Sequence, residues 1–70
     1  MLEQGKLYKV KDFALSDDAE FGAANRATVR DHGYLWIWDG IVTGGDTYWL
    51  RSLATGETTP FSPEELETSE

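Results

Sequence analysis

The chain has no cysteine, two prolines, one methionine and one histidine in 70 residues. Without cysteine it can form neither a disulfide staple nor a thiolate metal site, which fits a reducing compartment. No apolar run approaches the ~20 residues that cross a bilayer. The start, Met1 to Lys6, lacks the basic and apolar segments of a secretory signal. A cytoplasmic protein with no membrane contact is expected. Basic residues are also scarce: six Lys and Arg stand against thirteen Asp and Glu, a net charge of −7. Such a field repels phosphate backbones, so direct nucleic-acid binding is not expected and a partner with a basic surface is favoured.

The charge is unevenly placed. Residues 1–30 hold five basic and five acidic side chains, whereas residues 31–70 set Arg51 against eight carboxylates. Asp39, Asp46, Glu57, Glu64, Glu65 and Glu67 form the expected acidic surface. Solubility is the simpler explanation, because a net charge of about 2–8 keeps small domains dispersed. A single domain over residues 1–70 is expected, with residues 68–70 frayed. A core of this size supplies about 3–5 kcal/mol, so the nine aromatic residues carry much of the burial.

Short strands separated by turn residues run through most of the chain. Lys6 to Phe13 reads as a first strand, with Tyr8 and Val10 on one face. Asp17 and Glu20 have capping-box spacing, so residues 14–25 read equally as a turn or two of helix or as a long loop. Arg26–Asp31 alternates like a strand, and His32-Gly33 reads as a hairpin turn. Residues 34–39 form an aromatic strand that continues through Ile41-Val42-Thr43 past a bulge at Gly40. Gly44-Gly45-Asp46 marks a turn. Thr47–Leu53 is the next strand, with Tyr48, Leu50 and Ser52 opposite Thr47, Trp49, Arg51 and Leu53. After the turn at 54–57, a short strand leads to Ser62-Pro63-Glu64-Glu65, a capped helical turn. The expected fold class is all-β, a small barrel or roll of four to five antiparallel strands.

The opening Gly5-Lys6-Leu7-Tyr8-Lys9-Val10 carries a family likeness. So do the hairpin Tyr48-Trp49-Leu50-Arg51-Ser52-Leu53-Ala54-Thr55-Gly56-Glu57 and the ending Phe61-Ser62-Pro63-Glu64-Glu65-Leu66. Together the pattern resembles the SH3-like small β-barrels, which include SH3, Tudor and KOW-type domains. The resemblance implies a barrel whose long first loop is residues 14–25. The ligand motifs do not match: Leu7-Tyr8 departs from the Ala-Leu-Tyr-Asp-Tyr-like start, and Trp36-Ile37-Trp38 from the adjacent Trp-Trp pair. A proline-rich ligand is therefore not implied, and the acidic charge is unlike the basic KOW surfaces. Fold likeness alone does not assign a function.

Catalytic chemistry has little to stand on. His32 sits in an expected turn, no serine occupies a nucleophile elbow, and Gly44-Gly45 lacks the lysine of a phosphate loop. Asp17, Asp18 and Glu20 do not have the spacing of an EF-hand. No catalytic residue, metal site or cofactor is expected, and the protein is read as non-enzymatic. The aromatic strand is the remaining candidate. Alternation places Tyr34, Trp36 and Trp38 on one face and Leu35 and Ile37 on the other. A small barrel interior accommodates Leu35 and Ile37 more readily than three rings. This predicts an outward aromatic face, extended by Trp49, that binds a protein partner. Two other readings stand beside it. One is an acidic inhibitor that mimics nucleic acid on a basic host protein, similar in size and charge to small proteins of phages and mobile elements. The other is a homodimer that buries the aromatic face.

Overall fold

Leu7–Val10 alternates in residue type, and the backbone follows it as strand β1 (Leu7–Val10), with Tyr8 and Val10 buried. A computed structural model describes residues 2–69 of the chain. Strands β2 (Leu35–Thr43), β3 (Thr47–Ser52) and β4 (Thr58–Phe61) follow as consecutive hairpins, and β5 (Leu66–Thr68) pairs with β1. All neighbours are antiparallel, in the order β4-β3-β2-β1-β5. The small β-rich domain expected from the turn spacing is present, but its sheet is open.

The strands β4 and β5 are its two edges and do not pair, so the expected closure into a barrel is absent. A 3₁₀ turn, Pro63–Glu65, carries the chain from one edge to the other. Its capping box forms as the spacing predicts, with the Ser62 N–H donating to Glu65 Oε1 at 2.8 Å. Both edges are blunted. Strand β5 is three residues long, and β4 contains Pro60, which has no N–H to offer. Thr68 closes β5, and the Ser69 N–H donates to the Leu7 carbonyl at 3.2 Å. Glu70 lies outside the described residues.

The connection between β1 and β2 departs most from expectation. Residues 26–31 are not a strand but the second half of helix α1 (Gly22–His32), preceded by a 3₁₀ turn, Phe13–Leu15. The helix buries Gly22, Asn25 and Val29, a spacing of three and four that defines one helical face. Only Val29 among them is a large apolar residue, so the helical period was hidden beneath a local alternation. Gly22 lies so close to the preceding loop that a Cβ would collide with the Ser16 carbonyl oxygen. Phe21, not Asp17, occupies the position before the first helical residue. Asp17 instead pairs with Arg26 at 3.2 Å. Gly33 ends the helix rather than turning a hairpin. Its φ of 84° suits glycine, and its N–H donates to the Val29 carbonyl at 2.8 Å.

The core lies on one face of the sheet. Tyr8, Trp36 and Ser52 are successive partners across β1, β2 and β3, and all three are buried. Val10, Leu50, Phe61 and Leu66 join them from the strands, with Ala14 from the first 3₁₀ turn and Val29 from α1. The Trp36 and Phe61 rings meet edge to face, 5.1 Å between centroids. The expected bulge at Gly40 is confirmed. Register runs from Trp38↔Leu50 to Val42↔Tyr48, leaving Asp39, Gly40 and Ile41 opposite Trp49 alone.

Candidate functional site

The aromatic face expected to point outward at residues 34–38 does not do so as a unit: Trp36 and Trp38 turn toward the core. Trp36 is completely buried, and Trp38 is half-buried against Tyr48, with ring centroids 5.0 Å apart. Leu35 and Ile37 take the outer face, where Ile37 pairs with Leu7 and Arg51. The expectation assumed the narrow interior of a closed barrel. In the open sheet, with α1 and the 3₁₀ turns over its inner side, there is a layer deep enough for a tryptophan. Every indole N–H is also used internally. Trp36 donates to the Gly33 carbonyl at 3.1 Å, Trp38 to the Ile41 carbonyl at 2.8 Å, and Trp49 to Thr43 Oγ1 at 3.0 Å. Tyr34 is exposed just before β2, and Trp49 lies half-buried on the outer face. Tyr34, Trp36, Trp38 and Trp49 therefore do not form one surface.

The predicted acidic residues are likewise dispersed. Asp39 makes a bidentate pair with Arg51, at 2.9 and 3.2 Å, and the guanidinium holds its carboxyl below the usual aspartate range. Glu67 faces Lys9 at 3.6 Å. Glu57 is exposed before β4, at the opposite end of β3 from Asp46. Asp46, Glu64 and Glu65 are the three that share a site.

That site is a groove built from the connection that sequence patterning reads poorly. Phe21, Ala24, Asn25 and Thr28 follow helical spacing, so they present one face of α1 toward β3, β4 and the Pro63–Glu65 turn. A cleft of about 440 Å³ opens there, with Asp46, Thr47, Pro60 and Phe61 on its far wall. A second cleft, about 320 Å³, lies between Phe13, Phe21 and Glu64 and includes Asp18 and Glu20. The two share Phe21, Ser62 and Glu65 and so adjoin, and together they are treated as one groove around Phe21.

Its floor is fixed by Asn25, which is buried. The Asn25 Nδ2 donates to the Ala14 carbonyl at 3.1 Å and to Glu65 Oε2 at 2.7 Å. One amide thus ties α1 to both 3₁₀ turns, while the other Glu65 oxygen accepts from Ser62. Above that floor, Phe13 is 68% and Phe21 59% exposed. Asp18, Glu20, Asp46, Glu64 and Glu65 line the two clefts, and no Lys or Arg does. Two exposed rings among carboxylates suit a cationic side chain beside an apolar one, since a ring face attracts cations and the acids add to that field. The sequence carried one signal of this arrangement, a phenylalanine at each end of the acidic stretch from Phe13 to Phe21.

Among the described residues, no group of three or more His, Asp or Glu is placed to hold a metal ion, and no helix is long and apolar enough to cross a membrane. His32 ends α1, with its Nδ1 2.8 Å from Thr55 Oγ1 and its ring edge-on to Trp36. It does not line the groove. No family model matches the chain, and neither the curated proteins nor the solved structures include a match.

Proposed function

We propose that this protein is a non-enzymatic binding module that holds a basic segment of a protein partner in the groove around Phe21. The observation that carries this reading is the exposure of Phe13 and Phe21 beside Asp18, Glu20, Asp46 and Glu64, with no lining Lys or Arg. A single exposed apolar side chain is ordinary, but two rings bordering one groove are a feature of interaction sites. The hydrogen bonds that tie Asn25 and Glu65 to the two 3₁₀ turns support binding with little rearrangement, which keeps the ordering cost of association low. The fold reading that goes with this is an SH3-like roll. It is supported by the order of strand, long connection, three hairpin-linked strands and helical turn, followed by β5 beside β1.

The alternative, an acidic mimic of nucleic acid, would need a continuous surface of available carboxylates. Asp39, Glu65 and Glu67 are instead engaged with Arg51, Asn25 and Lys9. Short Lys/Arg-rich peptides, with and without a single Leu, separate the two readings. In a ¹H–¹⁵N NMR titration, the Leu-bearing peptide should bind more tightly and shift the amides of residues 13–28 and 59–65. Equal binding of both peptides, with steep salt dependence and shifts spread over the surface, would favour charge mimicry and overturn the groove.

A further inference from the structure

The carboxylates of this protein fall into two groups. Glu3, Asp17, Asp31, Asp39 and Glu67 each face a Lys or Arg of the same chain, at 2.9 to 3.6 Å. Asp18, Glu20 and Glu64 do not: among the described residues no cation pairs with them, and Glu64 meets only the Ser62 hydroxyl, at 3.5 Å. These three line the same cleft as the exposed Phe13 and Phe21 rings. The adjoining cleft differs. Its Glu65 is held by Asn25 and by the Ser62 N–H, which leaves Asp46 as its one carboxylate without a partner in the chain. Much of its wall is methyl and ring surface from Ala24, Thr28, Pro60 and Phe61.

The two halves of the groove therefore suit different side chains. Three uncompensated carboxylates beside two rings favour a cation. Arginine meets both features at once. Its guanidinium plane stacks on an aromatic face, while its edge offers paired N–H donors to a carboxylate, and it is weakly hydrated. A lysine ammonium is a compact, strongly hydrated point charge, with neither the plane nor the fork. The methyl and ring surface around Pro60 and Phe61 instead gains by covering an apolar side chain. We propose that the Phe13–Phe21 cleft is an arginine subsite and that the cleft of Phe21, Pro60 and Phe61 holds the partner's neighbouring apolar side chain. This assignment rests on the groove being the binding site for a basic segment, and it says which part of the groove reads which residue. Phe21 borders both subsites, whereas Phe13 belongs to the arginine subsite alone and Ala24 to the apolar one alone.

The test is calorimetric titration of the full chain with three short peptides of equal length and charge. The first carries one Arg beside one Leu, with Lys at its other basic positions. The second replaces that Arg by Lys, and the third replaces the Leu by Ala. The parent protein should bind the first about fivefold or more tighter than the second, the size of a cation–π contact at an accessible site. It should also prefer the first to the third. Phe13→Ser, at an exposed position, should erase the preference for Arg over Lys and keep the preference for Leu over Ala. Ala24→Leu, at an exposed helical position that narrows the other cleft, should do the reverse. Circular dichroism should be unchanged in both variants. A parent that prefers Leu but not Arg would overturn the arginine subsite and leave the groove standing. A parent indifferent to Leu as well would overturn both. An Arg preference that survives Phe13→Ser, or one that is lost on Ala24→Leu, would also contradict the assignment.

Discussion

The strand-built core and the connection between β1 and β2 use aromatic side chains in opposite ways. In the core, Trp36 is fully buried between Phe61 and His32, and its indole N–H is spent on Gly33. In the connection, Phe13 and Phe21 stand exposed around a groove whose backbone is fixed by Asn25. The first arrangement supplies stability and leaves nothing for a partner to reach. The second gives up burial of two rings and keeps a shaped apolar surface in an acidic field. If the proposed binding role holds, stability and binding fall to different residues, and substitutions should separate them.

The largest effect should come from the core. Trp36→Ala should cost about 3–5 kcal/mol, comparable with the whole stability of a domain this small. Urea or thermal denaturation followed by circular dichroism should find that variant largely unfolded at room temperature. A folded Trp36→Ala protein of near-normal stability would erase the contrast with Phe21. The next effects fall where the connection is anchored. Gly22→Ala forces a Cβ into the Ser16 carbonyl and should destabilise by about 1–3 kcal/mol, the usual range for overpacking. Asn25→Ala leaves the Ala14 carbonyl and the Glu65 carboxylate without their donor. It should cost a similar ~1–3 kcal/mol in the same denaturation experiments.

The unequal legibility of the two regions has a physical origin. In β1 and β3 the side chains alternate with the pleat, so the grouping of Tyr8 with Val10, and of Tyr48 with Leu50 and Ser52, was readable from sequence, and the structure buries both sets. In β2 both alternating sets are apolar, and pattern alone cannot say which faces the core. The answer depended on the open sheet and on the layer that α1 and the 3₁₀ turns place over it. The helix itself was hidden because its buried face is a glycine, an asparagine and a valine. Asn25 acts through hydrogen bonds to two distant carbonyl and carboxylate oxygens, which no local period records. The groove inherits that difficulty. Asp46, Glu64 and Glu65 were recognisable as acids, but their meeting with Phe21 depends on α1 packing beside β4 and the Pro63–Glu65 turn.

A smaller effect belongs to the exposed ion pair on the outer face. The Arg51 guanidinium, by hydrogen bond and by charge, holds the Asp39 carboxyl below its ordinary range. A lowered folded value means that the pair's contribution is present above the unfolded aspartate value. It is lost as pH falls through the folded one. The pair is solvent-exposed, so little change in neutral-pH stability is expected. Carboxyl NMR titration should show Asp39 returning to the ordinary aspartate range in Arg51→Gln. An unchanged Asp39 titration would mean the pair does not persist in solution.

The central claim is that Phe21 serves binding and not folding. It is tested most directly by measuring both properties on Phe21→Ser. Calorimetric titration with the Leu-bearing basic peptide should show a loss of about 30-fold or more, the ~2 kcal/mol that marks an interface hot spot. Thermal denaturation of the same variant should stay within about 0.5 kcal/mol of the parent, as for an exposed position. Unchanged affinity with clear destabilisation would contradict the account and make Phe21 part of the core after all.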